Sequence, residues 1–136
     1  MQVTLLTNGM FFLPNKIKPN LDFLMDISIQ NIDTVAVVDA SGHLDSNTAS
    51  EFEEQVMPLA HDGQRILLDM SGVDYMSSAG LRVLLLIHRQ ITDNAGHIVL
   101  TGLQDDIKDT MAITGFLEFF TTIEDRAAAL QLLKES

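Results

Sequence analysis

The sequence contains no cysteine. That excludes a disulfide framework, a thiolate zinc site and a cysteine nucleophile, and it fits a reducing compartment. Basic residues are scarce as well: 8 Lys and Arg stand against 19 Asp and Glu, a formal net charge of −11. A surface of that sign repels nucleic-acid backbones and anionic membranes. Proteins with a basic or mixed face, or small molecules, are left as partners. Long apolar runs are also missing. Val83–Ile87 and Met10–Leu13 fall far short of the ~20 residues of a membrane span. No basic stretch followed by an A-x-A-like site opens the chain, which argues against a secretory signal. The expectation is a soluble, cytoplasmic domain with no nucleic-acid and no membrane partner.

What is present is ordinary globular material. With 46% apolar and 20% charged residues over 136 positions, the chain is too apolar for disorder and long enough for one self-sufficient core. Residues 1–24 differ from the rest. They hold Pro14, Pro19, Phe11, Phe12 and Phe23 with Lys16 and Lys18, and sustain neither a helical nor a strand period. They are expected to be an N-terminal extension, dispensable for the fold. Two readings stay open: the functional domain or the natural start lies at Met25, or the extension packs its phenylalanines on the domain.

From Met25 onward strands and helices alternate. Ile27, Ile29 and Ile32 among polar neighbours give a half-buried strand, and Val35–Val38 a buried one ending at Ser41-Gly42. Thr48-Ala-Ser-Glu51 has capping-box spacing before Phe52, Val56 and Leu59 at helical intervals, and Pro58 must kink or end that helix. Arg65–Asp69 reads as a central strand buried on both faces. A short loop then leads to an apolar helix from about Leu81 to Asp93, with Gly96 as its stop. His97–Thr101 is the next strand. Ile107, Met111 and Ile113 mark a helix ended by Gly115; a short strand near Phe119–Ile123 and a helix with Ala127, Leu130 and Leu133 follow. This order predicts one α/β domain over 25–136 with at least some parallel strand pairs. Right-handed crossovers place the helices after the third and fourth strands on one face.

The informative stretch is Leu68-Asp-Met-Ser-Gly-Val-Asp-Tyr-Met-Ser-Ser-Ala-Gly-Leu81. Structurally, Ser77 or Ser78 is an N-cap, while Ala79-Gly80 allow close packing. Functionally, a helix N-terminus offers free N–H groups and partial positive charge, so a serine there tolerates a phosphate. The added charge, about −1.5 to −2, would act on whatever docks there.

Asp69–Leu81 resembles the signature of the STAS domain of bacterial anti-sigma factor antagonists. Gly42-His-Leu-Asp45 followed by Thr48-Ala49 is similar to that family's Gly-Glu-Leu-Asp-x-x-Thr-Ala segment. The resemblance spans about Met25 to Lys134. It implies a mixed sheet of four or five strands with helices mainly on one face, and no cofactor, metal or catalytic residue. It implies partner switching: an anti-sigma factor that is also a serine-protein kinase phosphorylates the loop, and a serine phosphatase reverses this. Carried over by motif, the acceptor is Ser78. The matching loops often have Asp before it; here Ser77 stands there and is a second candidate. Asp45, Tyr75, Met76, Ser77, Ser78, Ala79 and Gly80 are the implied partner-binding residues. The same resemblance admits a STAS subunit of a transporter ATPase complex or a scaffold of a stress-sensing assembly.

Enzyme readings fare worse. A phosphorylated receiver domain needs an acidic pair after its first strand and a lysine after its last. Asp39 has no acidic neighbour in sequence, and no lysine lies between Lys108 and Lys134. A serine hydrolase needs a G-x-S-x-G elbow and an oriented histidine; Ser77 and Ser78 lack that setting, and His43, His61, His88 and His97 are scattered. His88 reads as a helix-surface histidine. Asp105-Asp106 and Glu53-Glu54 read as solvated pairs, not metal ligands. There is no phosphate loop of Walker type.

Overall fold

The computed structural model describes residues 25–136; the expectations for residues 1–24 lie outside this range. Five strands form one sheet in the order of the chain. β1 (Met25–Ile32) turns back through Asp33 and Thr34 into β2 (Val35–Leu44), pairing antiparallel with Ile32 opposite Val35. β2, β3 (Arg65–Met76), β4 (His97–Thr101) and β5 (Thr121–Thr122) run parallel. Each parallel step therefore needs a crossover. The crossovers are α1 (Ala49–Val56), α2 (Ser78–Asp93) and α3 (Asp105–Ile113), with α4 (Arg126–Lys134) closing the chain.

Three helices cover one face. Phe52 and Val56 of α1, Leu84, Ile87 and Ile91 of α2, and Ile107 and Met111 of α3 pack on Val38, Ile66, Leu68 and Leu100. Among the described residues, α4 is the one helix on the other face, setting Ala129 and Leu133 on Val35, Val37, Leu67 and Val99. Alternate residues of β2, β3 and β4 thus enter different cores, which is why these strands read as unbroken apolar runs. Burying a leucine or valine side chain this way is worth about 1.5–3 kcal/mol. Among the described residues no helix is long and apolar enough to cross a membrane.

Local signals held where the turn chemistry was strong. α1 gives way to a 3-10 turn at Met57–Leu59 where Pro58 removes a donor. α3 stops at Gly115, φ +83°. Three expectations need correction. Thr48 does not form the capping box: its buried hydroxyl donates to the His43 carbonyl at 2.7 Å and accepts from Asp45 N at 3.0 Å. The competing bonds hold the turn before the helix. The positive φ after α2 falls on Ala95 at +60°, not on Gly96. Gly96 serves packing instead, since a Cβ there would stand 2.5 Å from the Gln64 carbonyl. Finally, no loop follows Asp69. β3 runs on to Met76, pairing Gly72 with Ser41 and Met76 with Leu44 across register shifts in β2.

Candidate functional site

The extended β2–β3 pair carries the motif residues to one end of the sheet. There α2 begins. Ser77 N donates to the Leu44 carbonyl at 3.0 Å, so the helix start is tied to the residue before Asp45. Gly80 makes the seat possible: it is buried, and a Cβ would stand 2.4 Å from the same carbonyl oxygen. Only glycine lets the first turn approach so closely.

The two serines are placed differently. Ser77 is the N-cap with extended backbone; its half-buried Oγ accepts from Gly80 N at 3.3 Å. Ser78 is the first residue of α2 and is exposed. Its hydroxyl makes no hydrogen bond within the described residues, and its N–H and that of Ala79 precede the first intrahelical bond, Leu81 N to the Ser77 carbonyl. Orphan donors of this kind carry the positive end of the helix dipole.

Asp45 sits beside this start in a tight turn. Its carbonyl accepts from Thr48 N and Ala49 N, and its carboxylate from Asn47 N at 2.9 Å. Part of that carboxylate faces solvent. Tyr75, 51% exposed, sets its ring edge-on to His43 with centroids 5.6 Å apart, and His43 Nε2 lies 3.3 Å from the Asp74 carboxylate. Met76 packs partly into the core and Ala79 is half-buried. Asp45, Tyr75, Met76, Ser77, Ser78, Ala79 and Gly80 therefore meet at one sheet end, four of them supplying backbone and packing and three an open polar surface.

A second polar cluster lies on the α4 face. Asp39 and Asp69 are register partners on β2 and β3, and the Arg126 guanidinium bonds both, reaching Asp69 Oδ2 at 2.6 Å. Burial pushes the Asp69 carboxyl up, but bonds from the Ser71 hydroxyl and N–H, with Arg126, outweigh it and hold it below the usual carboxylate value. The bonds to Asp39 and Asp69 raise Arg126 further and keep it charged. His88, edge-on to Phe120 at 5.0 Å, is pushed down by burial. No local pattern announced the Asp39–Arg126–Asp69 cluster, whose two acids lie 57 and 87 positions from Arg126. Among the described residues, no group of three His, Asp or Glu is placed to hold a metal ion.

Comparison with known proteins agrees with this architecture. The chain is 32% identical over 111 residues to the "Putative anti-sigma factor antagonist BtrV" of Bordetella bronchiseptica, covering 81% of this chain and 96% of that one. It is 30% identical over 92 residues to the anti-sigma-B factor antagonist of Staphylococcus aureus, covering 67% and 85%. The crystal structure of an anti-sigma factor antagonist from Mycobacterium paratuberculosis shares the fold with a TM-score of 0.72 at 22% identity, over 81% of this chain and 94% of that one. The STAS domain description matches residues 26–129, and the chain belongs to the STAS domain family.

Proposed function

We propose that this chain is an anti-sigma factor antagonist, a non-enzymatic regulator that exchanges partners according to phosphorylation of Ser78. The observation that carries the reading is the free, exposed hydroxyl of Ser78 at the first position of α2, seated beside Asp45 through the Ser77–Leu44 bond. The unmodified form binds an anti-sigma serine kinase through the Asp45 turn, Tyr75 and the start of α2. The kinase transfers the γ-phosphoryl of ATP to Ser78 Oγ, and a serine phosphatase removes it. The kinship with anti-sigma factor antagonists supports the partner class.

The physics favours release over unfolding. A phosphate on Ser78 meets the helix N-terminus, where anions are tolerated, and displaces no side-chain hydrogen bond among the described residues. A docked partner must instead desolvate about two extra negative charges unless it supplies cations. If that costs ~3 kcal/mol, affinity falls roughly 150-fold. Ser77 is the poorer acceptor because its Oγ already caps Gly80 N.

The test is to incubate wild type, Ser77→Ala and Ser78→Ala with the anti-sigma kinase of the same genome and ATP, and to locate phosphate by mass spectrometry. Phosphate on Ser78, lost only in Ser78→Ala, is expected. Phosphate on Ser77 alone would refute the acceptor, and none on either would favour a constitutive subunit or scaffold.

A further inference from the structure

Two cations on this acidic chain stand apart from the others. Arg126 bonds Asp39 and Asp69, Lys108 lies 3.6 Å from Glu124, Lys134 lies 3.0 Å from Asp33, and Arg65 donates to Thr34 and the Ser136 carbonyl. Among the described residues, Arg82 and Arg89 alone of the Lys and Arg side chains have neither an ion pair nor a side-chain hydrogen bond. Both are exposed on α2, and their spacing of seven puts them on one side of the helix.

Between them lie Leu86, 41% exposed, and half-buried Leu85. Across a groove, the 3-10 turn at Phe116–Phe119 supplies Phe116 and Phe119, the latter 59% exposed. An open phenylalanine and leucine flanked by two unpaired arginines is the composition of an interface centre. It is also the reverse in sign of a chain whose formal net charge is −11.

We propose that the groove between α2 and the 116–119 turn docks an amphipathic helix of a protein partner, with leucine-like anchors flanked by Asp and Glu. Apolar anchors at steps of three and four fill the groove between Leu86 and Phe119. The acids meet Arg82 and Arg89. An acidic segment is repelled by the remainder of this surface and attracted here, which fixes where it lands. Residues 1–24 also carry phenylalanines, but their charged side chains are Lys16, Lys18 and Asp22, the wrong balance for this groove. The proposal goes beyond the Ser78 switch and stands without it.

The experiment titrates the ¹⁵N-labelled full chain with an end-blocked 15-residue peptide of Leu and Glu at helical spacing, and with its Leu/Lys counterpart. The acidic peptide should shift amides of 82–89 and 116–119, and more weakly as salt rises. Arg82→Glu with Arg89→Glu, and separately Phe119→Ser, should each weaken it about tenfold, the scale of one interface anchor. Thermal melts check that these exposed-site variants stay folded. Equal binding of the lysine peptide, shifts elsewhere, or none at millimolar peptide would overturn the proposal. So would a dimer in sedimentation that Phe119→Ser abolishes, which gives the groove to a second copy. Tenfold tighter peptide binding after deletion of residues 1–24 would give it to that segment.

Discussion

Arg126 Nη1 donates to Asp69 Oδ2 at 2.6 Å, fixing the first residue of α4 to the central strand β3. The same guanidinium holds Asp39, so one cation separates two carboxylates that the strand register places side by side.

Removing that cation leaves two like charges in register. Arg126→Ala should cost about 2 kcal/mol, less than a fully buried pair because Arg126 and Asp39 are each partly solvated. Asp39→Ala should cost under ~1 kcal/mol, since it relieves the repulsion while leaving Arg126 paired. Urea titrations would rank the two; a larger loss for Asp39→Ala contradicts the shared-cation account.

Acid should reach the domain in two windows. His88 is held below its ordinary value by burial, so the unfolded chain takes up that proton first. Stability should therefore fall as pH drops through about 6.5 and level off below the folded value. Asp69 is depressed by its Ser71 and Arg126 bonds. Its contribution is complete above the unfolded value of about 4 and is lost as pH falls through the lower folded one. Urea midpoints from pH 8 to 2 should show both slopes, the first flattened in His88→Gln and the second in Asp69→Asn.

Gly80→Ala separates helix propensity from seating. In an exposed helix the change would gain about 1 kcal/mol. Here the new Cβ would stand 2.4 Å from the Leu44 carbonyl oxygen and 2.9 Å from the Leu44 side chain. Overpacking of about 1–3 kcal/mol, added to loss of the Ser77–Leu44 bond, should make the variant less stable by ~2 kcal/mol. A more stable Gly80→Ala protein would show that the seat is loose.

The two serines should respond oppositely to alanine. Ser77→Ala deletes the N-cap and should cost about 1 kcal/mol, roughly 3–6 °C in Tm for a domain of this size. Ser78→Ala removes no side-chain hydrogen bond among the described residues and should stay within ~0.5 kcal/mol of wild type. In kinase binding the order reverses: Ser78→Ala should bind yet resist release, and Ser78→Asp should bind partly, having one charge and not the phosphate's geometry. Calorimetric melts and a binding titration together settle the pair.

The alternation of strands and helices was legible because both periods were clean and Pro58 and Gly115 punctuated them. The end of β3 was not. Ser71-Gly72 and Asp74-Tyr75 look like loop composition, and only pairing with β2 makes them strand. Thr48 misled for a related reason: its hydroxyl had a better acceptor in the His43 carbonyl than any local pattern could reveal. The motif brought Ser78 and Asp45 to attention by likeness. That they share one edge depends on the Leu44 carbonyl, and the Arg126 cluster depends wholly on tertiary register.

The sheet order bears on how the domain is built. Each strand lies next to its predecessor, so every newly made segment finds a formed edge and none must wait for a later strand to be inserted. Closure of the second face is the exception. Among the described residues, Val37, Leu67 and Val99 share their cluster with Ala129 and Leu133, and Ile32, Ile123 and Leu130 pack against it. Of these covering residues, all but Ile32 come late in the sequence. Until α4 is made, that apolar face lacks Ala129 and Leu133, and the guanidinium that latches onto Asp39 and Asp69 arrives on the same helix.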